Sequence, residues 1–146
     1  MQLYTIGFTQ KRAEVFFGLL FQHGVQRLVD IRLNPGGQLS GFAKHEDLPY
    51  FLRRLAAGCR YVHVPDLAPT KEILSAYRSD SDWATYEARF LALMDERRIP
   101  ETLVAAEFED SVACLLCSEP LPERCHRRLV AERLAAHWPG VEVIHL

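Results

Sequence analysis

The sequence predicts an α/β domain in which helices cover both faces of a mostly parallel sheet of about five strands. Three observations carry that prediction. Strand-like and helix-like patterns alternate from one end of the chain to the other, the order that builds parallel βαβ units. Val112 to Cys117 is a continuous apolar run, the composition of a strand buried on both faces. The chain of 146 residues, 49% apolar and 25% charged, has the size and balance of one globular domain whose core needs no staples.

Each element has a local cause. Leu3 to Phe8 is a short β-favouring run. Thr9 then offers an N-cap to a helix over Gln10 to His23, with Phe16, Leu19, Leu20 and His23 on one face and Gly24 as its stop. Arg27 to Ile31 reads as the second strand, closed by a loop over Arg32 to Gly37 that holds Pro35 and two glycines. Asp47 to Ala57 reads as a helix ended by Gly58, and Arg60 to Val64 as a third strand ended by Pro65. Pro69 to Tyr77 and Asp82 to Arg98 have helical patterns. The second places Trp83, Tyr86, Phe90 and Met94 at helical spacing, with an acid at its start and Arg97-Arg98 at its end to suit the helix dipole. Glu101 to Phe108 has no decided period. After the apolar run to Cys117, Pro122 fits the first position of a helix reaching about His137, and Val141 to His145 makes a last strand. No repeat or linker interrupts the pattern, so residues 1–146 are expected to form one three-layer α/β/α, Rossmann-like domain.

Charge and composition remove several functions. Seventeen basic against nineteen acidic residues give a net charge of -2, which excludes wrapping nucleic acid over the whole surface and leaves room only for a local contact. No apolar run approaches the ~20 residues that span a bilayer, so no membrane partner is expected. The first residues enter a strand at once, leaving no space for a signal peptide. The four cysteines therefore read as thiols of a cytoplasmic protein rather than as a disulfide framework.

In open α/β sheets ligands bind beyond the carboxyl ends of the strands. Those ends carry Gly7 to Thr9, Arg32, His63 to Asp66 and Cys117 to Glu119, which brings the reactive residues to one edge. The densest segment runs from Cys114 to Arg128. Cys125 is expected in the first turn of the last helix, where the dipole and Arg124, His126 and Arg128 favour a thiolate. Cys117 at the strand tip is a second nucleophile candidate, and the two thiols could close a reversible disulfide. Cys114 and Cys117 have C-x-x-C spacing, but on one strand they point to opposite faces and cannot chelate together. A looser metal site would draw on Cys117, Cys125, His126 and His63. The loop from Cys117 to Arg124 resembles a thiol-phosphatase loop in outline. It is one residue longer, however, and its two prolines remove N–H donors. Asp30 and Arg32 share one side of the second strand, so Arg32 is either an anion clamp oriented by Asp30 or half of a structural ion pair. Glu119 is placed to move a proton or to cap the next helix.

Tyr4-Thr5-Ile6-Gly7, the stretch Leu28 to Pro35, Tyr61 to Leu67, and Leu115 to Glu119 running into Cys125 to Ala131 resemble the bacterial and archaeal family called domain of unknown function 488. The order and spacing match over essentially the whole chain, and the Cys-Ser-Glu and Cys-His-Arg pairing is the most specific part. The resemblance marks Thr5, Gly7, Arg32, Cys117, Glu119, Cys125, His126 and Arg127. It implies a compact single α/β domain and brings no established reaction or cofactor. Phe8 stands where members often carry a histidine, and Leu67 to Lys71 lacks the glycine-rich turn common there.

The combined expectation is an enzyme-like domain binding a small anionic or nucleotide-like ligand at the carboxyl edge of the sheet. Cys117, Glu119 and Cys125 are the catalytic candidates. Thr5, Gly7, Arg32, His126 and Arg127 are the ligand-binding candidates, and no metal is assigned. Two other classes remain in view. One is a nucleic-acid-binding module using Arg124, Arg127, Arg128 and Arg133; the other is a thiol or metal sensor built on Cys117 and Cys125.

Overall fold

The computed structural model describes residues 1–146. In chain order the elements are β1 (Gln2–Gly7), α1 (Ala13–Gln22), β2 (Arg27–Asp30), α2 (Leu48–Leu55), β3 (Arg60–His63), α3 (Lys71–Asp80), α4 (Trp83–Glu96), α5 (Ala105–Glu109), β4 (Ala113–Cys117), α6 (His126–His137) and β5 (Glu142–His145). All five strands pair in parallel in one sheet of order β3-β2-β4-β1-β5. The three-layer α/β/α fold expected from the sequence is the one observed. No helix is long and apolar enough to cross a membrane.

The layers follow from strand alternation. Leu3, Val29, Ile31, Ala113 and Leu115 pack with Tyr86, Phe90 and Met94 of α4 and with Leu129, Val130 and Leu134 of α6. Tyr4, Ile6, Leu28, Cys114 and Leu116 turn the other way, onto Phe16, Phe17 and Leu20 of α1 and Leu48 and Leu52 of α2. Cys114 and Cys117 accordingly lie on opposite sides of the sheet.

Three boundaries differ from the sequence reading, each for a backbone reason. Thr9 does not cap α1; its N–H is held by the Ser118 carbonyl at 3.1 Å, and the chain needs Gln10, with φ 62°, to turn before the helix begins at Ala13. Pro122 does not open α6, because the side chain of Arg127 engages the Glu119 and Pro120 carbonyls and keeps that stretch a loop. The helix starts at His126, with Cys125 as an extended N-cap residue. The undecided stretch before β4 contains α5, whose Phe108 is buried against Trp138.

The end of β2 is fixed by a buried ion pair. Arg32 grips Asp30 with two bonds, Nε to Oδ1 at 2.8 Å and Nη2 to Oδ2 at 2.7 Å. The Tyr61 hydroxyl donates to the same carboxylate at 2.6 Å, and Arg32 also donates to the Ala43 carbonyl at 2.7 Å. The pair thus joins β2, β3 and the loop between β2 and α2. Burial, and then the bond to Asp30, push the Tyr61 hydroxyl pKa upward, so it remains a donor. Asp30 is fully buried, and its loss would strand a guanidinium in the interior. Asp30→Ala is expected to cost about 3–5 kcal/mol in urea denaturation with little change in the slope. An unchanged midpoint would show that the pair contributes nothing to stability.

Candidate functional site

Strand β4 lies between β1 and β2, so the carboxyl ends of the first, second and fourth strands stand side by side. Gly7 pairs with Cys117 across the ladder, and the Ile31 N–H bonds the Leu116 carbonyl at 3.1 Å. Beyond these ends opens a pocket of about 250 Å³, roofed by the α3–α4 hairpin and closed on another side by the loop leading into α6. It is the sheet-edge position where such folds bind ligands.

The floor holds three buried groups: Cys117, Cys125 and His126 are 5%, 2% and 6% exposed. Their Sγ, Sγ and Nδ1 atoms all lie within 4.8 Å of one another. His126 is oriented by its other nitrogen, since Nε2 donates to the Ile31 carbonyl at 2.7 Å and leaves Nδ1 to meet Cys117 Sγ at 3.5 Å. One proton can therefore sit on the Cys117 thiol or on His126 Nδ1. The neighbouring Cys125 thiol lowers the Cys117 pKa despite its burial. The Ser118 and Glu119 amides and Arg127 act in the same direction. Burial, and then the neighbouring Cys117, push Cys125 the other way, so it keeps its proton. These three residues are also the ones whose donor types and spacing could hold a zinc-like ion.

Arg127 explains why the thiols sit where they do. It is 0% exposed and has no carboxylate partner. Its Nη1 donates to the Glu119 carbonyl at 2.5 Å, Nη2 to the Pro120 carbonyl at 3.5 Å, and Nε to Thr5 Oγ1 at 3.3 Å. The Thr5 hydroxyl then donates to His145 Nδ1 at 2.6 Å. Burial and the nearby Arg127 charge lower the His145 pKa, which suits its role as acceptor. Gly7 is required in the same place, because a Cβ there would overlap the Glu119 carbonyl oxygen and crowd Arg127 Nη1.

The pocket walls divide chemically. Tyr77, Trp83 and Tyr86 form an aromatic side, with Trp83 and Tyr86 stacked at 5.0 Å and 21°. Arg78 and Arg124 line the same space, are exposed, and make no ion pair with a carboxylate. Periodicity correctly marked Tyr86 as a core residue but did not show that it also faces a cavity. Arg78 was not singled out at all; its only signal was a cation in the last turn of a helix preceding the aromatic stripe.

The sequence-marked residues fall into three groups. Cys117, Cys125 and His126 meet at the floor, and Glu119 stands exposed at the rim. Thr5, Gly7 and Arg127 lie behind the floor and hold the loop. Arg32 lies at the pocket edge but commits its guanidinium to Asp30, Ser40 and Ala43, and His63 bonds the Arg32 carbonyl at 2.8 Å rather than joining the thiols. Of the four arginines considered for nucleic acid, Arg127 is buried, Arg128 pairs with Glu87 and Glu132, and Arg133 pairs with Asp95. Arg124 alone remains unengaged.

Two outcomes test this geometry. Thiolate is the form that alkylates, so half-maximal labelling of Cys117 should come at a pH below the ordinary thiol value of about 8.5. Labelling of Cys125 should come above that value, both read by peptide mass mapping. Gly7→Ala should lower stability by roughly 1–3 kcal/mol or more through overpacking against backbone, and should also slow Cys117 labelling. Normal stability and labelling in that variant would break the link between Gly7 and the thiol loop.

No curated protein and no solved structure matches the chain. The family described as Domain of unknown function DUF488 matches residues 12–134, a span that takes in β2, β4, the thiol cluster and Arg127. By that match over most of its length, the chain belongs to the DUF488 family.

Proposed function

We propose that the protein binds a small anionic, nucleotide-like ligand in this pocket and acts on it through the Cys117 thiolate. The observation that carries the reading is the coincidence, in one cavity of about 250 Å³, of a His-paired thiol, two uncompensated guanidinium groups and an aromatic wall. A planar ring stacks on the exposed side of Trp83, in contact with its partner Tyr86. Arg78 and Arg124 receive the anionic group in charge-assisted hydrogen bonds. An electrophilic centre between ring and anion then lies over Cys117. His126 Nδ1 takes the thiol proton, and Nε2, fixed on the Ile31 carbonyl, keeps the ring in register. Glu119, exposed at the rim, is the carboxylate available for proton transfer there. Arg32, engaged with Asp30, supports the strand end from which His126 is oriented.

The test is isothermal titration with nucleoside monophosphates, the parent nucleosides and inorganic phosphate. Nucleoside monophosphates should bind most tightly, and affinity should fall with added salt. Arg78→Ala and Arg124→Ala should each weaken binding about tenfold, equivalent to about 1.4 kcal/mol. Affinities indifferent to both arginines and to salt would remove the anion site.

A further inference from the structure

Cys125 has no task in the reading above, yet it is the residue closest in kind to Cys117. Its sulfur lies within 4.8 Å of Cys117 Sγ, both residues line the same pocket, and Cys114 is turned to the far face of the sheet. We propose that Cys117 and Cys125 form a working dithiol that reduces small anionic disulfides bound in the pocket. This rests on the reading of Cys117 as nucleophile and of Arg78 and Arg124 as the anion holders.

The exchange balances without any group beyond the disulfide itself. The Cys117 thiolate attacks one sulfur of the bound disulfide; a Cys117 mixed disulfide forms and the first half leaves as a thiolate. The departing thiolate takes the proton that His126 Nδ1 received from Cys117, and the freed Nδ1 then accepts the proton of Cys125. Cys125 sulfur then attacks Cys117 sulfur, the Cys117–Cys125 bond forms, and the second half leaves. The small disulfide gains two electrons and the protein dithiol loses two. Any small dithiol reductant returns the protein to its starting state.

Geometry favours the second step. The two sulfurs already lie within 4.8 Å and must approach to the bonded length of about 2.05 Å. Cys125 is an N-cap residue in extended conformation, so its movement breaks no helical hydrogen bond made by its side chain. The guanidinium groups at the rim select disulfides that carry carboxylates over cationic ones.

The experiment uses the intact chain, pretreated with chelator in one arm, and the dianionic aryl disulfide dithiobis-nitrobenzoate, with cationic cystamine as contrast. Wild type should release two nitrothiobenzoate ions from this site. Peptide mapping should find Cys117 joined to Cys125, with the mass lower by two hydrogens. Cys125→Ser should stop after one release with the probe trapped on Cys117. The anionic probe should react at least tenfold faster than cystamine, and Arg78→Ala with Arg124→Ala together should erase that preference. A stable mixed disulfide on Cys117 of wild type, with Cys125 free, would overturn the dithiol while leaving the nucleotide-like site intact. Thiols that react only after chelation would overturn it in favour of a bound metal. Failure of Cys117 to react, together with no nucleoside monophosphate binding, would overturn both readings. The wild-type mapping needs no variant, so a misfolded Cys125→Ser would not decide the outcome.

Discussion

The guanidinium of Arg127 is a full charge placed where water does not reach and where no carboxylate answers it. Such a cation is costly unless its N–H groups are bonded and an opposite charge lies near. The protein meets the first need with two loop carbonyls and the Thr5 hydroxyl. Its charge also acts, after the neighbouring Cys125 and the Ser118 amide, to lower the Cys117 pKa. The loop between β4 and α6, the end of β1 and the start of α6 are thus joined at one ion. The glycine at position 7 is what allows the loop carbonyl to come that close.

The four arginines near this edge show how one side chain serves different ends according to its surroundings. Arg32 meets Asp30 in a neutral buried pair, so its field is spent locally and it acts as scaffold. Arg127 is buried without a carboxylate partner and gives its N–H groups to loop carbonyls and Thr5, so it holds the loop that leaves Cys117. Arg78 and Arg124 stay exposed at the pocket, with no carboxylate paired to either. Sequence alone shows four cations; the dielectric around each decides its role.

Much of the fold was legible because it is written in short-range patterns. Five strands and their flanking helices follow from apolar runs, glycine stops and helical spacing at Phe16, Leu20, Tyr86, Phe90 and Met94. The boundaries that failed, at Thr9 and Pro122, failed because a long-range hydrogen bond overrode a local preference. The Ser118 carbonyl took one residue and Arg127 the carbonyls beside the other. For the site, Cys117, Cys125 and His126 could be named from the strand end and helix start. Their mutual contact could not, since it depends on β4 entering between β1 and β2. The pocket's aromatic wall was hidden for a similar reason. Helical spacing reports that Tyr86 is covered, not whether a partner helix or a cavity lies opposite. Arg127 did leave a trace, because with Val130, Ala131 and Leu134 it falls on the stripe of α6 that the sheet buries.

The strand order also governs how the chain can be assembled as it is made. β1 and β2 are synthesised early but never touch as neighbours; the strand that separates them and bonds to both is the fourth, ending at Cys117. Until that strand emerges, β1 stands with two open edges, and the β2–β3 pair has nothing to join. The two halves of this sheet join in the middle and late, with only β5 left to add at the rim. Domains of this kind complete as units rather than piece by piece during synthesis. Cys117 ends the strand that joins the two halves, and Cys125 and His126 follow it in the chain, so the thiols gain their electrostatic surroundings only in the finished molecule.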